Sequence, residues 1–190
     1  MEQQLANSDL TSFMADRTTE EKTTSRSFER TSPTPSPSPS PTPTGPPAPV
    51  AGLNVTQMKN AGIIVQVGQQ MGLPKRAIII GMATAMQESN LYNNASEAVP
   101  ESFNYPHEGS SVDHDSVGVF QQRPSSGWGT VADLMRPEYQ AAKFFTKLIK
   151  LDWENMSLTA AAQAVQISAY PNAYAKHESR ATQIVSAFGL

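Results

Sequence analysis

The stretch "IIIGMATAMQESNL", residues 78–91, decides how the chain is read. From Ile78 to Met86 its only polar residue is Thr84, and a segment apolar on every face reads as a helix that belongs in a core. It then delivers Glu88, followed by Ser89 and Asn90. On a helix, Gly81, Thr84 and Ala85 share the face of Glu88, and all three are small. That face is able to pack against another element or to border a cleft. A carboxyl group at such an apolar wall loses solvation, which raises its pKa. The negative end of the helix pushes in the same direction. A carboxyl that keeps its proton near neutral pH is what a general acid requires. The plainer reading is a paired or solvated glutamate at an exposed helix end. Position alone leaves both open.

Working outward, "QMKNAGIIVQVGQQMG" (57–72) reads as the preceding helix, with Thr56 as its cap and Gly72 as its stop. Pro74 suits the first turn of the helix that ends near Glu88. Residues 92–114 show no sustained period and read as a long loop, while "SVGVFQQ" (116–122) is a short extended run. Thr130 caps "VADLMR", Pro137 opens "EYQAAKFFTKLIK", and Ser157 and Thr159 precede "AAAQAVQIS". "PNAYAKHESRATQIVSAFG" closes the chain, with Pro171 in its first turn and Gly189 at its end. The class is therefore mainly α, with at most a small β-hairpin near 113–122.

The 190 residues do not all belong to that fold. Hydrophobic content is 38%, low for a globular chain, and the deficit is concentrated in "TSPTPSPSPSPTPTGPPAP" (31–49). A segment alternating Pro with Ser or Thr cannot bury enough surface to offset its ordering entropy, so it reads as a polyproline-like spacer. Residues 1–50 are expected to be a disordered polar tail and linker, and 51–190 the folded domain.

The net charge is −3, and residues 51–190 carry ten Lys and Arg against eleven Asp and Glu. That balance argues against a general nucleic-acid binder, which needs a basic face. Lys143, Lys147 and Lys150 do line up at i, i+4, i+7, as a solvated helix face or a contact for an anionic polymer. No cysteine is present. No apolar run approaches the length of a membrane span, roughly 20 residues. "MEQQLANSDL" lacks the pattern of a secretory signal, whereas a Pro/Ser/Thr spacer before a compact domain suits a surface-tethered protein. "Asp113-His114-Asp115" is too sparse for a metal site, and no metal or other cofactor is expected.

Glu88-Ser89 at the end of an apolar helix, then Gly118-Val119-Phe120-Gln121, then Ala169-Tyr170-Pro171-Asn172 resemble, in order, three signatures of lytic transglycosylases of the lysozyme-like superfamily. "MQESNL…DHDSVGVFQQRPSSGWGT…SAYPNAYAKHE" is similar to lysozyme-like modules of actinobacterial cell-wall proteins, often found beside peptidoglycan peptidases. The resemblance spans about residues 55–188. It implies a lysozyme-like helical domain, a location in the cell wall or outside the cell, and peptidoglycan glycan strands as substrate, with a cell-wall peptidase as a candidate partner. The implied reaction is cleavage of the β-1,4 bond between N-acetylmuramic acid and N-acetylglucosamine, with Glu88 as acid and then base.

A lytic transglycosylase needs only that carboxyl, because the muramic acid 6-hydroxyl displaces the leaving sugar. A hydrolase needs a second, about 5 Å away for retention or about 6.5–9.5 Å for inversion. Asp115 is the candidate, and the alternative for it is a turn residue capping backbone N–H groups. Ser89, Gln121, Gln122, Trp128, Tyr170 and Asn172 are the candidate substrate contacts. Gln121 and Gln122 suit sugar hydroxyl and acetamido groups, or one of them only fixes the turn. Trp128 stacks on a sugar ring or plugs the core, and Tyr170 matches the family's cleft tyrosine. Pro171 and Asn172 depart from the usual Ala-Tyr-Asn-Ala-Gly run. A non-catalytic wall-binding module that retains the cleft is the competing function.

Overall fold

The computed structural model describes residues 47–167 and 172–190, and it is mainly helical. α1 (Val55–Gln70) and α2 (Lys75–Ser89) are followed by two short strands, β1 (Asn94–Ser96) and β2 (Gly109–Ser111). Then come α3 (Val131–Leu134), α4 (Pro137–Leu148), α5 (Leu158–Gln166) and α6 (Glu178–Ala187). Short 3-10 turns at Pro100–Asn104, Pro124–Ser126, Trp153–Asn155 and Ala175–His177 join them.

α2 is the central helix. Every residue from Ile80 to Met86 is buried, and α1, α4, α5 and α6 all pack against it. Gly81 makes the approach of α4 possible: a Cβ there would lie 2.7 Å from the Phe145 ring of α4. Phe144, stacked on Phe120, and Phe145 extend the core toward the loop side. The helix stops at Asn90, which sits in the left-handed region at φ 52°. Asparagine tolerates that conformation better than most residues. None of the described helices is long and apolar enough to cross a membrane.

Several boundaries differ from expectation. The cap of α1 is Asn54, not Thr56. Its side chain accepts from the Gln57 N–H while Gln57 accepts from the Asn54 N–H, both at 2.9 Å. Thr56 has no partner with which to form such a reciprocal box. Pro74 occupies the extended position just before α2 rather than its first turn. α6 begins only at Glu178, after the 3-10 turn at 175–177, and Pro171 lies outside the described residues. Of the expected tail, residues 47–50 are described. Val50 packs on the core and its carbonyl accepts from Leu53.

At 113–122 the expected hairpin is reduced to a single antiparallel bridge, in which Val117 and Gln122 exchange both backbone hydrogen bonds at 3.1 Å, and the two strands lie elsewhere. β1 and β2 pair in parallel, Asn94 with Gly109 and Ser96 with Ser111. The loop 92–114 is held by side chains rather than by an apolar period. The Glu108 carboxylate accepts from Asn60 Nδ2 (2.8 Å) and the Asn93 N–H (2.6 Å), and Asn93 donates onward to the carbonyls of Pro106 and Met135. Ser102 bonds across to the backbone of Ser96.

Candidate active site

Glu88 projects from the last turn of α2 into a cavity of about 690 Å³. That size is within the range of small-ligand sites. Its carboxyl is half-buried, and the Tyr174 hydroxyl donates to Oε1 at 2.7 Å. Burial pushes its pKa up, the hydrogen bonds from Tyr174 and Gln166 pull it back, and the negative charge of Asp113 pushes it up again. The balance stays above the ordinary value. The group is thus biased toward its protonated form while a donor stands ready to steady the carboxylate once the proton leaves.

The wall beside Glu88 is the turn 117–122, and most of its backbone groups have a specific partner. Gln140, fully buried on α4, reaches beneath it: its Oε1 accepts from the Phe120 N–H (2.7 Å) and its Nε2 donates to the Val117 carbonyl (2.6 Å). That close passage is why residue 118 is glycine, the residue that tolerates positive φ and leaves no Cβ in the way. Its φ is +79°, and a Cβ would lie 2.2 Å from Gln140 Nε2. The Gly118 N–H donates to Asn94 (2.8 Å), and the Phe120 carbonyl accepts from Gln166 Nε2 (2.7 Å). Ser89 donates to the Val119 carbonyl at 2.7 Å and, at 3.3 Å, to Ala85. Its hydroxyl therefore ties the end of α2, next to Glu88, to the turn.

Asp115 does not line the cavity. Its carboxylate is paired with Arg123 Nε and accepts from the Ser125 N–H at 2.9 Å, closing the 3-10 turn at Pro124–Ser126. Those bonds from Ser125 and Arg123 outweigh its desolvation and hold it well below the usual carboxylate range. Those partners match the turn-capping alternative for Asp115. The acid that does share the cavity with Glu88 is Asp113, whose side chain is 78% exposed and bonded to His114 Nδ1 at 2.7 Å.

The structure brings Glu88, Gln121, Gln122 and Trp128 to the cavity. Gln121 donates from Nε2 to the Gly118 carbonyl at 2.8 Å and so fixes its own turn. Gln122 is almost wholly buried behind it, with Nε2 turned toward the Gln140 carbonyl at 3.4 Å. Trp128 is 7% exposed, and Lys147 Nζ lies 3.2 Å from its ring centroid. An ammonium thus covers one face of the ring, and the burial of Trp128 accords with the core-plugging alternative. Asn172 is exposed, and Tyr170 lies outside the described residues.

Sequence reasoning missed Tyr174, Gln166, Gln140 and Lys147 as parts of the site. Ala-Tyr occurs twice, at 169–170 and 173–174, and that repeat was the available signal for Tyr174. Gln140 and Gln166 had none, since a polar residue on an amphipathic helix reads as surface. Among the described residues no group of three or more His, Asp or Glu is arranged to hold a metal ion. In comparison with known proteins, the sequence matches no family model and no curated protein.

Proposed function

We propose that this domain is a lysozyme-like module that cleaves peptidoglycan glycan strands at the cell wall, with Glu88 as general acid and then general base. The observation that carries this reading is one carboxyl, biased toward protonation by burial, at the end of an apolar helix and against the Gly118–Gln121 turn. Glu88 transfers its proton to the glycosidic oxygen as the bond from that oxygen to muramic acid C1 breaks. The 6-hydroxyl of the same muramic acid then bonds to C1 and gives its proton to the Glu88 carboxylate. The products are a 1,6-anhydro end and a free 4-hydroxyl, with no water consumed and the acid restored. Tyr174 stabilises the carboxylate between the two proton transfers.

The engagement of Asp115 by Arg123 and Ser125 favours this one-carboxyl route over hydrolysis. The test is to incubate the full chain with purified sacculi and weigh the released fragments. Anhydro ends from the wild type and none from Glu88→Gln are expected. Reducing ends would move the reading to a hydrolase. If neither protein releases fragments while both sediment with sacculi, the non-catalytic binding module replaces the enzyme.

A further inference from the structure

The cavity carries a feature that acid catalysis leaves unused. Lys147 belongs to a row with Lys143, on α4, and Lys150, just past its end. All three are exposed, and none forms an ion pair among the described residues. Lys143 Nζ stands 5.1 Å from the Tyr139 ring centroid. Lys147 turns its ammonium onto Trp128 at the cavity wall. Like charges spaced four apart on a helix repel one another. The charges of Lys143 and Lys150 accordingly lower the pKa of Lys147 beyond what its burial does. The negative end of α4 accounts for cations at Lys147 and Lys150. It does not account for Lys143 or for an ammonium laid against the wall of the cavity. Arg123, the other cation there, is already neutralised by Asp115.

Resting on the cleavage reading above, we infer that the Lys143–Lys147–Lys150 row binds carboxylates of the peptide stems carried by the muramic acid residues, so that the site selects stem-bearing glycan over bare glycan. Trp128 serves as the platform that holds the Lys147 ammonium at the cavity, where a carboxylate beside the scissile bond meets it. A neutral strand gains nothing from this row. An exposed pair is individually weak, so three together amount to about tenfold in Kd, and added salt weakens them further.

The test measures binding of the full chain, as Glu88→Gln so that strands persist, to surface-immobilised glycan strands that an endopeptidase has released, stems attached, from sacculi freed of phosphodiester-linked polymers by hydrofluoric acid. A parallel sample is also stripped of stems by amidase. Binding about tenfold weaker after stem removal is expected, with the same loss for Lys143→Gln/Lys147→Gln/Lys150→Gln on intact stems and no further loss when the two are combined. Lys147→Arg should retain the preference, and raised salt should erase it. The melting temperature of the triple variant checks that it is folded. Equal binding of the triple variant and its parent overturns the inference. So does a lysine-dependent affinity that disappears on phosphate removal and not on stem removal. Fragment release by the wild type decides the cleavage reading separately, so either can fall while the other stands.

Discussion

Glu88 and Asp115 carry the same functional group within one domain, and their surroundings drive them in opposite directions. Glu88 ends a helix with no basic residue in its last turn, beside apolar packing, where hydrogen bonds from Tyr174 and Gln166 only partly offset its burial. Asp115 sits in a loop where a guanidinium and a backbone N–H both hold its charged form. One carboxyl is arranged to keep a proton and the other to give it up. Candidate acids are therefore better separated by what surrounds them than by residue type or by distance along the chain.

The comparison is broken most directly by amidating each carboxyl in turn. Glu88→Gln should lower strand cleavage by about 10²–10⁴-fold, the usual contribution of general acid–base catalysis, while Asp115→Asn should remain within about tenfold of wild type. Fragment release from sacculi measures both. A large loss in Asp115→Asn with an unchanged melting temperature would restore Asp115 as a catalytic group.

Gly118→Ala comes next, acting on stability. The new Cβ meets Gln140 at a position of positive φ. The combined clash and left-handed backbone should cost about 3 kcal/mol or more. Chemical denaturation should show it. The turn that forms the wall beside Glu88 should give way first, so cleavage should fall even where the helices persist.

Asp115→Asn should cost about 1 kcal/mol at neutral pH, the scale of one partly exposed ion pair plus a capping bond. The sign with pH follows from a folded pKa below the unfolded one: this stability is present above the unfolded aspartate pKa and disappears as pH falls through the folded value. The wild-type and variant melting curves should therefore converge in strong acid. Glu88 has the opposite sign. Its raised folded pKa means that ionisation works against folding, so Glu88→Gln should be slightly more stable than wild type at neutral pH, with the gap closing as pH falls toward the unfolded glutamate value.

The smallest effect is that of Tyr174→Phe. Removing the donor leaves the Glu88 carboxylate less favoured, so its pKa rises further and the alkaline limb of the pH–rate profile moves upward. The rate at the optimum should change by about tenfold or less. A downward shift would mean that Tyr174 supports the protonated form.

Much of the helical frame was legible because it rests on local chemistry. Thr130 and Pro137 mark their helix starts as expected, Ser157 rather than Thr159 caps α5, and the unbroken apolar run of α2 correctly places it at the centre. The strands were not legible. A parallel pair of three-residue strands shows no alternation, and bonds from Asn60, Asn93 and Glu108 hold the loop around it. The site divides in the same way. Glu88 stood out as a local anomaly, a carboxylate after an apolar run, and the Gly118–Gln121 turn through its resemblance to a family signature. The pairing of Asp115 with Arg123, the laying of Lys147 on Trp128 and the bond from Tyr174 to Glu88 join positions far apart in sequence or choose among equivalent residues. Only the packed chain makes those choices.

The opposed titration of the two carboxyls is the claim from which the rest follows, and carbon-13 NMR of the full chain labelled at its Asp and Glu carboxyls reads it directly. The Glu88 resonance, assigned with Glu88→Gln, should titrate above the ordinary glutamate range, and that of Asp115, assigned with Asp115→Asn, below the ordinary aspartate range. Glu88 titrating at or below its ordinary value, or Asp115 taking up its proton first as the pH falls, would contradict the account.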